Sequence, residues 1–480
     1  MIARSLDSIV CAYEICYATP MAFEALQKAI QGKVLTDPKS LEEASGDFGR
    51  MVVKLPACVV QPKTTEDVAA VVRFARETKT AIGIRGNAHT QTGQGLSEGG
   101  ILLDLKSLDK ILPMNPPEKK AVCQAGVKWK DLVLETLTQG LIPRVLTNNL
   151  DVTIGGTLSV AGLGISSFRY GTQGDNCLEL EVVTGQGEMI VCSPEKNSEL
   201  FFCSLAGLGR FAIITRATIR LREVLPMTRT YYLLYEGLKT FMSDAQALMR
   251  EGRFHFLESW CVPCPQGFRK VNGVPQLFAR WFYPLHATIE FNEKHPPDDE
   301  KLLKGLSFRE LVHKEDRGTL EFANRLDPLF ELWRRSGYWA ATHPWMETIL
   351  PWDAASPYIH QVLSALPPHV LGGGHILLWP SRGAVSHLPL FKHPATEFVM
   401  GFGILPGIPK EFLPQLTPML NSLSDLSMKT GGKRYLSGLI QFDEERWRSH
   451  YGETWEAMKG WKKTYDPEGI LNPGFIPLHS

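Results

Sequence analysis

Apolar residues recur along this chain in two rhythms. Between Thr64 and Ala75, Val68, Val71, Val72, Phe74 and Ala75 fall at helical spacing behind a threonine cap and the acids Glu66 and Asp67. That pattern predicts a helix. Residues 178–184 and 211–221 instead alternate apolar with polar, which predicts strands. Short apolar runs at 57–62, 81–84 and 101–105 predict three more, and Trp129, Leu132, Val133 and Leu137 give one apolar face to a helix over 128–138. Residues 1–50 are polar and helix-prone, with a helix expected over 21–31. Strand and helix succeed each other with Gly-rich turns, the texture of an α+β or α/β domain. After Pro226 the texture changes. Strands at 229–235, 254–260, 276–283, 375–380 and 398–403 are aromatic-rich, and helices are predicted over 237–250 and 356–366. The polar stretch 295–301 predicts a solvated loop. One helix carrying Trp447, Trp455, Met458 and Trp461 is expected near the end.

Two Gly-rich stretches carry candidate chemistry. Arg85-Gly-Asn-Ala-His-Thr90 joins two short apolar strands. Gly86 permits a turn where a side chain would clash, and Asn87 tolerates left-handed dihedrals. Successive backbone N–H groups in such a turn can converge on an anion. The same residues also suit a surface hairpin with one exposed histidine, His89. The second stretch, residues 147–162, holds Gly155, Gly156, Thr157 and Ser159. Close backbone approach plus hydroxyl donors suits a diphosphate or a flavin edge; a loop that only needs small residues has the same composition. A third motif misleads. Gly207-Leu-Gly-Arg-Phe-Ala212 fits the dinucleotide fingerprint, which requires a strand before it and a helix after it. Here a helical pattern precedes and a strand pattern follows, so a nicotinamide site of that type is excluded.

Composition narrows the classes. At 480 residues the chain exceeds the size of one core, so two or three domains are expected. Lys+Arg and Asp+Glu are 51 each, and the resulting zero net charge argues against nucleic acid as a partner. The nine cysteines are scattered, and Cys261-x-x-Cys264 has no second pair, so neither a disulfide framework nor a metal site is expected. No apolar run reaches the ~18 residues of a membrane helix. The run at 9–13 is too short for a signal peptide, and no Asn-x-Ser/Thr sequon occurs. The cytoplasm is the expected compartment.

In order, Asp47-Phe-Gly, Leu55-Pro-Ala-Cys-Val-Val-Gln-Pro, Arg85-Gly-Asn-Ala-His-Thr, Thr153-Ile-Gly-Gly-Thr-Leu-Ser, Phe168-Arg-Tyr-Gly, Val183-Thr-Gly-Gln-Gly-Glu, Leu205 to Ala217, Thr342-His-Pro-Trp and Tyr465-Asp-Pro to Gly474 span nearly the whole chain. Together they resemble the vanillyl-alcohol-oxidase-type flavoproteins (PCMH-type FAD-binding), and within them the cytokinin dehydrogenases. The resemblance implies an α+β, two-domain flavoprotein. An FAD-binding domain would comprise residues 1–220 and 430–480, and an antiparallel-sheet substrate domain residues 221–429. It implies FAD bonded through its 8α-methyl to His89, where Ala88-His89-Thr90 stands for the family's Gly-His-Ser. Ile84, Gly86, Asn87, Ala88, Thr90 and Gln94 would cradle the diphosphate and nearby flavin. Thr153, Ser159, Leu163 and Ile214, with Asn148, would contact other parts of the FAD, and Tyr435 and Asn472 would close over it. Phe475 stands where the family has glutamine.

The implied activity is hydride removal from a C–H beside nitrogen in a cytokinin-like N6-isoprenoid adenine. Flavin N5 would receive the hydride, and oxygen or a quinone would reoxidise the flavin. The family's catalytic aspartate is Asn148 here, and an amide cannot hold a proton as a general base. Asp151, three residues on, is expected to face away. Glu258, His343 and His375 are the remaining candidates. Two other readings stay open at this point: an oxidase of a sugar or aromatic alcohol, and a flavin-binding protein that has lost turnover.

Overall fold

The computed structural model describes residues 20–478. The apolar run 9–13, Cys11 and Cys16 lie outside them. Three sheets organise the chain, of four, eight and five strands. In the first, Cys58–Gln61 and Ile82–Arg85 both run parallel to Ile101–Asp104. The two strands flanking the His89 turn are therefore parallel neighbours and not a hairpin. The helix Thr65–Glu77, capped by Thr64, is the crossover from Cys58–Gln61 to Ile82–Arg85, whereas residues 86–100 make the return to Ile101–Asp104 without a helix. In the five-stranded sheet Ala212–Glu223 is central, pairing with Lys120–Gln124, Leu141–Pro143 and Cys177–Thr184. The helix Ser198–Ser204 precedes that strand, so the Gly207–Ala212 motif sits in helix-to-strand order as its pattern indicated.

The eight-stranded sheet is antiparallel throughout its named pairs. Its long members are Phe256–Val271 and Val274–Phe291. The helices Leu238–Glu251, Trp352–Ala365 and Leu413–Lys429 bury Phe241, Ile359 and Leu420 in a core with Leu285, Met346 and Phe402. The antiparallel eight-stranded sheet with its helices, together with the two smaller sheets, gives an α+β architecture of the expected class. Lys433–Arg434 closes the large sheet as its last strand.

Three local expectations are corrected. Part of the polar 295–301 stretch is helical: Asp298 caps Asp299–Leu303, and Asp299 bonds Arg229 and Tyr231. The Trp-rich C-terminal helix is two helices, Glu444–Tyr451 and Thr454–Tyr465, parted at Gly452 with φ 58°. Short helices at Ile154–Leu158 and Ser167–Tyr170 occupy stretches whose glycines predicted only loop or turn. Among the described residues no helix is long and apolar enough to cross a membrane.

Candidate active site

A chamber of about 330 Å³ opens between the sheets. Its size falls in the usual range of small-molecule sites. Ile84, Gly86, Asn87, Ala88, His89, Thr90, Gln94, Asn148, Thr153, Ser159, Leu163, Ile214, Tyr435 and Asn472 all line it. Segments 388 residues apart meet there: the Ile84 backbone N–H donates to Asn472 Oδ1 at 2.9 Å, and Asn472 Nδ2 donates to Leu208 O at 2.8 Å.

The turn at 85–90 leaves consecutive backbone donors free. Among the described residues, the backbone N–H groups of Asn87, Ala88, His89 and Thr90 meet no acceptor. Gly86 is required by close approach, because a Cβ there would meet Thr153 Oγ1 at 2.0 Å. The left-handed residue is Ala88, with φ 50°, and not Asn87. Glycine would adopt that conformation without strain, whereas alanine pays about 1–2 kcal/mol. Neighbouring bonds hold the turn. Asn87 Nδ2 donates to Asp151 O, and Thr90 Oγ1 to Asp47 Oδ2, both at 2.9 Å. Gln94 Nε2 reaches the carbonyls of Leu436, Ser437 and Gly438. Burial pushes the Asp47 carboxyl up to about 6.

His89 lies in an aromatic wall, 4.3 Å from Phe48, 5.9 Å from Trp345 and 6.4 Å from Trp339 between ring centres. Burial, with His343 nearby, brings its pKa down to about 4, so the ring is neutral at neutral pH. Tyr435 presents its hydroxyl to the backbone N–H groups of Gly162 and Leu163, and burial pushes that hydroxyl up. Phe475 instead packs against Trp447, away from the chamber lining. Unpaired N–H donors, a glycine that admits close contact and a neutral imidazole fit a flavin dinucleotide, whose diphosphate supplies the anion.

Across from the turn, Asn148 belongs to a closed polar cluster. Its Nδ2 donates to Glu258 Oε1 at 2.8 Å, and its Oδ1 accepts from Arg325 Nη2 at 2.8 Å. Arg325 also grips Glu258 at both oxygens, through Nε to Oε2 and Nη2 to Oε1, each at 2.9 Å. Glu258 and Arg325 side chains are 7% and 11% exposed, so water does little to screen the pair. Of the three candidates for the missing base, Glu258 and His375 line the chamber. Burial drops His375 to about 4. His343 is fully buried, stacked on Phe48 at 4.3 Å, and outside the lining. Asp151 points to Lys128 and Arg334 at 3.7 and 3.9 Å.

Arg325 and Glu347 were not visible as site residues from sequence. Arg325 follows a short helix, Thr319–Ala323, in an unremarkable polar context. Glu347 left a usable trace: a lone acid inside the apolar strand Met346–Pro351. Trp260, Trp345 and Trp379 complete the lining.

Residues 56–193 match a family described as FAD binding domain, and residues 226–476 match one described as cytokinin dehydrogenase 1, FAD and cytokinin binding. Cytokinin dehydrogenase 4 of Oryza sativa subsp. japonica is 31% identical over 465 residues, 90% of this chain and 87% of the relative. Cytokinin dehydrogenase 2 of Arabidopsis thaliana is 28% identical over 474 residues, 94% of each chain. The uncharacterized oxidoreductase ORF5 in the fasciation locus of Rhodococcoides fascians is 31% identical over 442 residues, 92% of this chain and 98% of the relative. With an anion-binding turn beside a neutral histidine, and both matches in order along one polypeptide, this chain is an FAD-dependent oxidoreductase and belongs to the cytokinin dehydrogenase family.

Proposed function

We propose that the protein removes hydride from the C–H beside the side-chain nitrogen of an isoprenoid-substituted adenine, with oxygen or a quinone as the final electron acceptor. FAD, when bound, takes up the hydride at N5. The observation that carries this reading is a carboxylate, Glu258, hydrogen-bonded to Asn148 within the chamber. Asn148 cannot hold the proton that leaves the substrate nitrogen. Glu258 can, at Oε1, whose distance from Asn148 Nδ2 is 2.8 Å. Arg325 keeps both carboxylate oxygens from swinging and orients the Asn148 amide. Trp260, Trp345 and Trp379 supply flat apolar walls for a planar ring and keep water out. Anaerobic mixing with isopentenyl adenine is expected to bleach the visible flavin absorbance. Bleaching by an aromatic alcohol or a sugar, with none by the adenine, would move the substrate to another class.

FAD is joined to the chain through His89 in this reading. A neutral imidazole has a ring nitrogen lone pair free to form that bond, and burial supplies the neutral form. The yellow colour is expected to stay with acid-precipitated protein and to pass into the supernatant in His89→Ala. Colour in the wild-type supernatant would show a non-covalent cofactor. The FAD-binding unit is assigned to residues 1–220 with 430–480, and the substrate unit to 221–429. The seven described cysteines are free, which suits the reducing cytoplasm.

A further inference from the structure

Two carboxyl groups line the chamber, and they stand in different surroundings. Glu258 is gripped by Arg325. Glu347 has no cation on its carboxyl among the described residues, and its contact there is Ser437 Oγ at 3.4 Å. Arg434 packs behind it, but the guanidinium is committed elsewhere. Its Nε donates to the backbone carbonyl of Glu347 at 2.8 Å, Nη1 to Ser424 Oγ at 2.5 Å and Nη2 to Leu439 O at 2.9 Å. Arg434 and Tyr435 are the titratable groups that face Glu347. Opposite it on the neighbouring strand stands Gly403.

The strand register explains why this acid reaches the chamber. Trp260 pairs with Leu377, Leu377 with Gly403, and Gly403 with Glu347. These four form one row across the floor of the chamber. Gly401 and Gly403 leave the space in the middle to the Trp379 ring. A Cβ on Gly401 would strike Trp379 at 1.7 Å, and one on Gly403 would press on Glu347 Cγ at 3.3 Å. Glu258 lies two residues before Trp260, hence on the same face. The two acids are three strands and two residues apart, about 16 Å at the backbone. A flat ligand with its reacting end at Glu258 therefore extends toward Glu347.

We propose that Glu347 recognises the polar edge of the substrate's nitrogen heterocycle as a neutral carboxylic acid, taking up a proton from solvent when that ring seals the chamber. This rests on the reading of the substrate as an N-heteroaryl amine. A neutral carboxyl donates through O–H and accepts through C=O, which matches an edge with adjacent ring nitrogen and N–H. An ionised carboxyl sealed there without a cation would pay the desolvation cost of a buried charge. Burial already lifts Glu347 to about 7, with Arg434 opposing.

The test is binding of adenine, the unreactive ring alone, to the oxidised holoenzyme, followed by the flavin absorbance change between about pH 6 and 9. Wild-type Kd is expected to stay level up to about pH 7 and then rise toward tenfold per pH unit. Glu347→Gln keeps a neutral donor and acceptor, so its Kd should stay at the low-pH value throughout. Glu347→Leu should raise Kd at every pH. Equal pH dependence in wild type and Glu347→Gln overturns the proposal. So does an unchanged Kd with a shifted flavin midpoint potential, which would assign Glu347 to the cofactor. If wild type binds no adenine at any pH, the heterocycle reading fails and takes this inference with it.

Discussion

Glu258→Gln lowers kcat on an isoprenoid adenine by about 100- to 10,000-fold, the usual loss when a positioned general base is removed. Glutamine keeps the shape and can still accept from Asn148 Nδ2, but it cannot retain a proton. The variant also strips Arg325 of its counter-charge in a site where both side chains are nearly buried. A fall in stability is therefore expected alongside the fall in rate, and flavin content must be measured with kcat. The double variant Asn148→Asp with Glu258→Gln separates the two effects. It exchanges carboxylate and amide across a 2.8 Å hydrogen bond and preserves the charge beside Arg325. Much of the rate should return. Asn148→Asp alone places a second carboxylate against Glu258, and like charges so close share one proton. Wild-type kcat in the Glu258→Gln single variant would remove Glu258 from the proton path.

Lys462→Met destabilises the fold by about 3–5 kcal/mol, as expected for removal of one member of a buried ion pair. Lys462 and Asp466 side chains are 1% and 0% exposed and hydrogen-bonded to each other. Burial brings Lys462 down to about 8, with Asp466 opposing. Lys462 Nζ also donates to Arg210 O at 2.8 Å and Leu471 O at 3.1 Å. Asp466 accepts from the backbone N–H groups of Ile470 and Leu471. Arg210 in turn donates to the carbonyls of Asn472 and Ile476 at 2.6 Å. The pair thus clamps the segment that brings Asn472 to Ile84 in the chamber lining. Methionine fills the space but leaves the Asp466 charge unpaired. Equilibrium denaturation should show the loss, accompanied by weaker FAD retention. A change below about 1 kcal/mol would mean the clamp is no stronger than a surface ion pair.

Local chemistry announces itself in short windows. Thr64 caps its helix because the threonine oxygen, Glu66 and Asp67 act within one turn, and the same holds for the strand after Gly207. The anion-binding turn was legible for the same reason, since its donors are consecutive. Which residue bears the left-handed strain was not: Ala88 and not Asn87 takes the positive φ, and no pattern within the turn separates the two. The break at Gly452 was missed because the apolar positions on either side keep helical spacing while the glycine turns the axis.

From its residues alone the chain indicated an FAD-dependent family and, by resemblance, an asparagine at position 148 where that family has an aspartate. Only tertiary structure decided which groups surround Asn148. Glu258 and Arg325 reach Asn148 across separations of 110 and 177 residues, through the pairing of long strands that no local pattern encodes. Glu347 comes to the chamber lining in the same way, because register sets it beside Gly403, which has no side chain to crowd it. Sequence periodicity says which face of a strand an acid occupies. Which partners share that face is settled by the sheet.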